Sequence, residues 1–172
     1  MKFLALIAFL VIFNSCGNTI YIVRHAEKAP VPAGTSQAMA SDPPLSEAGL
    51  ARANDLREEL KNDNIRQIFS TNFKRTISTA RPLSELSNIH TMIYSSRKDS
   101  MDQFILQLKR IKKGNILVVG HSNTIDDIAN KLAGSVVVAN DLAETQYDNL
   151  FILKRKGSKY KFDRKKYGVP TE

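Results

Sequence analysis

Short apolar runs alternate with amphipathic stretches over most of the chain. The apolar runs are bounded by turn residues and are therefore predicted to be strands. They comprise residues 19–23, 67–70, 91–94 and 115–119. Between them, apolar residues recur every three or four positions, which predicts helices. The helices are predicted over residues 46–60, after a cap at Asn72, over 100–112 and around 125–132.

The order of these elements predicts the architecture. A repeated alternation of strand and helix gives right-handed crossovers and parallel strands that are buried on both faces. The segment 26–44 holds four of the six prolines and is predicted to be a long loop. A hairpin around Gly157 is predicted to add antiparallel strands at the edge. The fold class is therefore α/β, a three-layer α/β/α sandwich with a mostly parallel central sheet and an antiparallel edge hairpin.

The first residues follow a different pattern. Lys2 precedes an apolar run over residues 3–13, which is too short to cross a bilayer of about 30 Å and is typical of a signal peptide. We predict a lipoprotein-type signal peptide over residues 1–15 and a single domain over 16–172. Residues 12–16 resemble a loose bacterial lipobox that ends at Cys16, the only cysteine. We therefore expect an exported protein, periplasmic or on the outer surface, held at the membrane by a lipid on Cys16. An unlipidated export signal and an uncleaved anchor stay open.

Positive charge is concentrated near the end of the chain. The formal net charge is +8, and eight of the 25 Lys and Arg residues lie between Lys154 and Lys166. This concentration indicates either a patch for an anionic surface or ligand, or a solvated hairpin. The alternation of lysines with Tyr160 and Phe162 favours the hairpin, with both rings in the core. No nucleic-acid partner is expected, because rings in the core cannot stack on bases.

Two of the three histidines are predicted to lie where ligands bind. His25 and His121 each follow an apolar strand, and the carboxyl ends of parallel strands share one edge of a sheet. Arg24 precedes His25, and Arg75 falls in the first turn of the helix that follows residues 67–70. Imidazoles, guanidiniums and helix amino termini together favour a tetrahedral dianion.

Two other residues near strand ends are expected to have different roles. His90 precedes a strand and is predicted to lie on the surface. Gly120 is expected to let the backbone approach a ligand.

The same residues resemble the signatures of a known family. Residues 24–27 (Arg-His-Ala-Glu), 70–80, 120–123 and 44–49 are similar to motifs of the histidine phosphatase superfamily, which includes the phosphoglycerate mutases. The resemblance extends over residues 21–134 in matching order and spacing. One departure is Ala26, where the family often has glycine, so residue 26 should not need a positive φ.

The resemblance implies a phosphoglycerate mutase-like fold and a catalytic role for His25. This residue would be the nucleophile, oriented by a hydrogen bond from its other ring nitrogen to a backbone carbonyl. Arg24, Arg75 and a protonated His121 would bind the phosphoryl oxygens. The implied enzyme is a metal-independent phosphatase, without a cofactor, for phosphomonoesters or phosphohistidine on a small molecule or a protein. Glu27 is expected to orient an arginine or the long loop.

The proton donor for the leaving group is less well defined. The resemblance implies an acid after the third strand, where Asp99 and Asp102 lie, and Glu85 is a further candidate. Asp99 can equally cap the following helix, and Asp102 can be a charge of its first turn. Without an acid, substrates with good leaving groups are favoured. A non-catalytic lipoprotein that binds phosphorylated ligands in the same pocket is the alternative function.

Overall fold

A six-stranded sheet forms the centre of the protein in the computed structural model, which describes residues 17–171. Its strands are β1 (Thr19–Arg24), β2 (Ile65–Ser70), β3 (Thr91–Ile93), β4 (Asn115–Gly120), β5 (Asn149–Lys156) and β6 (Lys159–Lys166). Their order across the sheet is β3-β2-β4-β1-β5-β6. The first four strands are mutually parallel, whereas β5 and β6 are antiparallel to their neighbours. The predicted signal peptide over residues 1–15 and the predicted lipid site at Cys16 lie outside the described residues.

Helices cover both faces of the sheet. They are α1 (Gln37–Ser41), α2 (Glu47–Leu60), α3 (Lys74–Ser87), α4 (Lys98–Arg110) and α5 (Ile125–Ala133). Because successive side chains of a strand point to opposite faces, Ile20 packs with α4 and α5, and Tyr21 packs with α2 and α3. The predicted three-layer α/β/α sandwich with a mostly parallel sheet is therefore confirmed. No helix within residues 17–171 is long and apolar enough to cross a membrane.

The ends of two helices differ from the sequence prediction. The predicted Asn72 cap of α3 is wrong, because the N-cap residue is Phe73 and the Asp42 carboxylate accepts a hydrogen bond from the Lys74 N–H at 2.9 Å. A side chain from the long loop thus supplies the acceptor that a local residue was expected to provide. The α4 helix begins at Lys98, so Asp99 lies in its first turn and does not cap it.

The predicted hairpin is confirmed at the end of the chain. Gly157 has a φ of +62° in the turn between β5 and β6, a conformation that favours glycine. Tyr160 is buried, and Phe162 is half-buried against the same core, while the intervening lysines are exposed. The strand therefore has one solvated face and one packed face, as its sequence alternation indicated.

Register brings the candidate functional residues to one edge of the sheet. Arg24 of β1 pairs with Gly120 of β4, and Ser70 of β2 pairs with Val119. The residues that follow these strands, which include His25 and His121, therefore emerge side by side.

Candidate active site

His25 is held rigidly at the end of β1. Its backbone N–H donates to the carbonyl of Gly120 at 2.9 Å, which continues the pairing of β1 with β4. Its side chain is only 3% exposed, and Nδ1 lies 2.8 Å from the carbonyl oxygen of Ala26. A carbonyl only accepts, so Nδ1 carries the proton and Nε2 keeps its lone pair. The predicted hydrogen bond to a backbone carbonyl is confirmed.

Ala26 has an ordinary backbone conformation, as expected. Among the described residues, the only non-glycine residues with positive φ are Asn64 and Asn88.

The imidazole of His25 is neutral at neutral pH. Burial lowers its pKa to about 3, and the positive charges of Arg24 and Arg75 and the neighbouring His121 act in the same direction. The hydrogen bond to the Ala26 carbonyl raises the pKa, but its effect is smaller than that of burial. A nucleophilic nitrogen must be unprotonated, so this environment suits attack by Nε2.

His121 lies directly beside His25. The two ring centroids are 5.5 Å apart at an interplanar angle of 68°, and Nε2 of His121 lies 2.9 Å from the Thr71 hydroxyl. Burial and the nearby Arg75 and Arg24 lower the pKa of His121 to about 4. His121 is therefore neutral in the ligand-free protein, because two guanidiniums disfavour a third positive charge. Its predicted protonation concerns the phosphoryl-bound site and stays a prediction.

Arg24 is fully enclosed by the segment that precedes β5. The side chain is 1% exposed. Its Nη1 donates to the carbonyls of Ala143 at 2.8 Å and Glu144 at 3.1 Å, and Nη2 donates to the Glu144 carboxylate at 3.0 Å. The guanidinium also lies 4.3 Å from the centre of the Tyr147 ring. These contacts fix the planar group at the floor of the site.

Arg75 approaches from the first turn of α3, as predicted. Its Nη1 donates to the Asp42 carboxylate and to the Ser41 carbonyl, both at 3.3 Å. The guanidinium packs 4.4 Å from the centre of the Phe73 ring. The carboxylate of Asp42 therefore both caps α3 and orients the arginine, a double role that no local sequence pattern predicts.

These four predicted residues line one cavity of about 560 Å³. Lys28 adds a third cationic side chain, and Asp141 and Glu144 contribute carboxylates at its margin. Residues 17–171 contain no group of three or more His, Cys, Asp or Glu side chains that could hold a metal ion. The concentration of cationic groups suits an anionic ligand of the size of a phosphoryl group.

The proposed proton donors lie elsewhere. Asp99 is exposed and paired with Arg97 at 2.8 Å, and Asp102 is exposed and paired with Lys131 at 2.8 Å. Neither of these aspartates lines the cavity, nor does Glu85. Glu144 and Asp141 do line it, and sequence reasoning missed them because residues 134–148 show no regular pattern. Arg24 lowers the pKa of Glu144, so this carboxylate is ionised and unsuited to donate a proton.

Three further expectations can be compared with the structure. Glu27 forms an ion pair of 2.7 Å with Arg52, which confirms that it orients an arginine. His90 is exposed, as predicted. The interpretation of Gly120 is wrong, because a Cβ there would lie 2.8 Å from the Tyr94 hydroxyl and 2.9 Å from Cγ2 of Ile125. Its small size serves packing inside the fold and not the approach of a ligand.

Comparison with known proteins gives consistent findings. The family model of the histidine phosphatase superfamily (branch 1) matches residues 20–97, which include His25 and Arg75. Phosphoserine phosphatase 1 of Hydrogenobacter thermophilus is 37% identical over 73 residues, or 42% of this chain and 34% of that protein. The matching region thus spans about a third of the curated relative.

Solved structures resemble nearly the whole chain. A candidate phosphohistidine phosphatase, SixA of Agrobacterium tumefaciens, superposes with a TM-score of 0.60 at 18% identity, covering 89% of this chain and 99% of that one. A candidate alpha-ribazole-5'-P phosphatase of Escherichia coli superposes with a TM-score of 0.66 at 15% identity, covering 90% and 100%. At these identities the superpositions show a shared fold, the phosphoglycerate mutase-like α/β sandwich.

Proposed function

We propose that this chain is a phosphatase that hydrolyses phosphomonoesters, or phosphohistidine, through a phosphohistidine intermediate on His25. The family-model match and the structural neighbours support its assignment to the histidine phosphatase superfamily. The observation that carries the proposal is the state of His25. This imidazole is neutral, fixed by the Ala26 carbonyl and surrounded by cationic side chains.

The reaction takes place in two steps. In the first, Nε2 of His25 attacks phosphorus, an N–P bond forms, and the bond to the leaving group breaks with its electron pair. In the second, water attacks the phosphohistidine, the N–P bond breaks, and inorganic phosphate is released. The proton stays on Nδ1 throughout, and its hydrogen bond to the Ala26 carbonyl stabilises the positive ring of the intermediate.

Arg24, Arg75 and His121 bind the phosphoryl oxygens in this scheme. Their charges and N–H groups are in place before substrate arrives, because the backbone carbonyls of Ala143 and Glu144 and the side chains of Asp42 and Thr71 already orient them. A bound dianion would raise the pKa of His121, so we expect this residue to take up a proton with the ligand.

Substrates with good leaving groups fit the site best. The carboxylates on the cavity margin are exposed, and the pKa of Glu144 is lowered, so no acid is poised to protonate an alkoxide. The phenolate of an aryl phosphate and the imidazole of phosphohistidine leave without strong acid assistance. One structural neighbour is described as a candidate phosphohistidine phosphatase, which agrees with this preference.

A hydrolysis assay with p-nitrophenyl phosphate tests the proposal. His25→Ala should lower kcat/KM by about 1,000-fold or more, since it removes the nucleophile. His90→Ala is the matched control, because this histidine is exposed and lies outside the cavity, and it should retain full activity. A radiolabelled phosphoenzyme should form with wild type and not with His25→Ala. Full activity of His25→Ala would refute the mechanism.

Side chains supply all of the positive charge in this scheme, so we propose that the activity needs no metal or other cofactor. Dialysis against EDTA should leave the rate with p-nitrophenyl phosphate unchanged. A rate that falls with EDTA and returns with one divalent cation would contradict this part of the proposal.

The alternative function is a non-catalytic lipoprotein that binds phosphorylated ligands in the same cavity. The observation in its favour is the absence of a buried carboxyl group among the residues that line the described cavity. The two functions differ in turnover. Binding of inorganic phosphate together with no hydrolysis of any aryl phosphate by wild type would establish the alternative.

We also propose that the chain is exported and lipidated at Cys16. The support is the sequence pattern of residues 1–16, a basic start and a short apolar run that ends at a cysteine. In a bacterial host, metabolic labelling with a radioactive fatty acid should label the wild-type chain and not Cys16→Ser. Equal labelling of the two, or none in wild type, would refute lipidation.

A further inference from the structure

The amino-terminal edge of the sheet, opposite the cavity, carries a strongly basic surface. Two segments form it, residues 109–113 (Lys-Arg-Ile-Lys-Lys) and residues 154–161 (Lys-Arg-Lys-Gly-Ser-Lys-Tyr-Lys), and we call these segments together the basic face. They contain nine Lys and Arg residues and no Asp or Glu. The hairpin interpretation explains the alternation within β6, but it does not explain the matching charge in the other segment.

Hydrogen bonds hold the two segments together. Nη1 of Arg155 donates to the carbonyl of Lys109 at 3.0 Å and to that of Ile111 at 3.2 Å. The same nitrogen donates to the Tyr160 hydroxyl at 3.1 Å. The charges of the basic face are therefore arranged on one fixed surface, although the segments are more than 40 residues apart in the sequence.

Within residues 17–171, no carboxylate neutralises the positive charges of the basic face. Seven of its nine Lys and Arg side chains are exposed, and Lys109 and Arg155 are half-buried. None of the nine forms an ion pair with a carboxylate in the part of the chain that the structure describes. Like charges this close repel one another, so the arrangement favours an external anionic partner.

The chain enters the fold at the basic face. The backbone carbonyl of Asn18 accepts a hydrogen bond from the Arg155 N–H at 3.0 Å. The side-chain amide of Asn18 donates to the Ile111 carbonyl at 3.1 Å. Thr19 pairs with Lys154 in the sheet. The apolar run over residues 3–13 precedes this point closely. The segment with the composition of a membrane anchor thus precedes, in the sequence, the point where the chain joins the basic face.

We propose that the basic face docks on an anionic phospholipid bilayer. Clusters of Lys and Arg beside a membrane-anchoring segment bind anionic lipids in this way. A nucleic acid fits less well, because Tyr160 is buried and the exposed large hydrophobic side chains of the described residues include no aromatic ring. The six residues of β1 separate the basic face from His25, and at about 3.3 Å per residue the cavity lies about 20 Å from the lipid. Docking therefore directs the cavity away from the membrane, where substrates can reach it.

Lysine labelling of the full chain in vesicles tests the docking. The full chain is reconstituted in phosphatidylcholine vesicles with or without 30% phosphatidylglycerol, and its lysines are methylated with formaldehyde and a reductant. Anionic lipid should lower the labelling of Lys113 and Lys159 by about fivefold or more, and 0.5 M NaCl should reverse the protection. Lys74, which is exposed at the opposite edge, should label equally in both vesicles. Equal labelling of Lys113 and Lys159 in the two vesicles would overturn the proposal.

Charge-reversed variants provide the matched control. Lys112→Glu with Lys156→Glu should abolish the protection of Lys113 and Lys159. Arg81→Glu with Lys98→Glu changes the net charge equally at exposed positions outside the basic face and should preserve it. Equal effects of the two pairs, or protection of Lys113 by an oligonucleotide but not by anionic vesicles, would overturn the proposal. None of these measurements depends on phosphatase activity.

Discussion

The carboxylate of Glu144 forms an ion pair with Arg24 at 3.0 Å, at the floor of the cavity that His25 and His121 line. The same oxygen lies 3.4 Å from the Lys28 ammonium group. Arg24 is almost completely buried, whereas the Glu144 side chain is 71% exposed. In the proposed mechanism Arg24 binds a phosphoryl oxygen, so this carboxylate competes with that oxygen for the guanidinium. Substrate has to share Arg24 with Glu144 or displace its carboxylate.

Replacing Glu144 should therefore tighten the binding of phosphate. Glu144→Gln removes the competing charge, and inhibition by inorganic phosphate should strengthen by roughly two- to fivefold, the range expected for an exposed ion pair. Asp141→Asn is the matched control, because Asp141 lies on the same margin but forms no ion pair among the described residues. Inhibition constants measured with p-nitrophenyl phosphate check this. An unchanged or weaker inhibition in Glu144→Gln would contradict the competition.

The rate should depend steeply on the leaving group. Because no acid is poised in the cavity, kcat/KM for phosphoserine should be lower than for p-nitrophenyl phosphate by about 100-fold or more, the contribution typical of general acid catalysis. A series of substituted phenyl phosphates measures the slope of log kcat/KM against the pKa of the phenol. Asp99→Asn and Asp102→Asn should leave the slope unchanged, since both side chains are exposed and paired elsewhere. A flat series, or a steeper slope in Asp102→Asn, would show that a proton donor exists.

The fold could be predicted from the sequence because local pattern and tertiary packing agree. The strand that ends at Arg24 and the strand that ends at Gly120 are apolar on both faces, which is typical of parallel strands in the centre of a sheet. The helix bounds were predicted less well where the deciding contact is distant in sequence. The cap of α3 comes from Asp42, which accepts a hydrogen bond from the N–H of Lys74, 32 residues later in the chain. No local window contains that information.

The candidate site could be predicted only in part, for the same reason. His25 and His121 follow regular strands, so topology alone places them together. Glu144 and Tyr147 reach Arg24 from an irregular segment, and their position depends on how that segment folds over the edge of the sheet. The neutral state of His121 in the ligand-free protein also could not be predicted, because it depends on burial and on the distances to two guanidiniums.

The ion pair between Glu27 and Arg52 should be important for stability. Arg52 is 4% exposed, and its Nη groups also donate to the carbonyls of Tyr167 at 3.1 Å and Val169 at 2.9 Å. Glu27→Ala would leave a buried guanidinium without its carboxylate, and the free energy of unfolding should fall by about 3 kcal/mol. Glu58→Ala, which breaks exposed pairs with Arg57 and Lys61, should lower the free energy of unfolding much less than Glu27→Ala does. Urea denaturation measures both values, and similar losses in the two variants would contradict a structural role for Glu27.

The burial of His25 should make stability fall in mild acid. Its folded pKa of about 3 lies below the ordinary value of 6.5, so between these pH values the unfolded chain binds more protons than the folded one. The stabilising effect is complete above pH 6.5 and is lost as the pH falls toward 3. His121, with a pKa of about 4, acts in the same direction. Between pH 6.5 and 4.5, His25 alone should cost the wild type about 2 to 3 kcal/mol of unfolding free energy.

Urea denaturation of His25→Asn at pH 6.5 and 4.5 isolates this contribution. The variant lacks the titrating group, so its loss of unfolding free energy between the two pH values should be smaller than that of wild type by about 2 to 3 kcal/mol. His90→Asn replaces an exposed histidine outside the cavity and should behave as wild type. If His25→Asn loses as much stability as wild type, then His25 is not held in its neutral form by the fold. The same result would remove the basis for its role as a nucleophile, because that role requires an imidazole that stays unprotonated inside a cationic cavity.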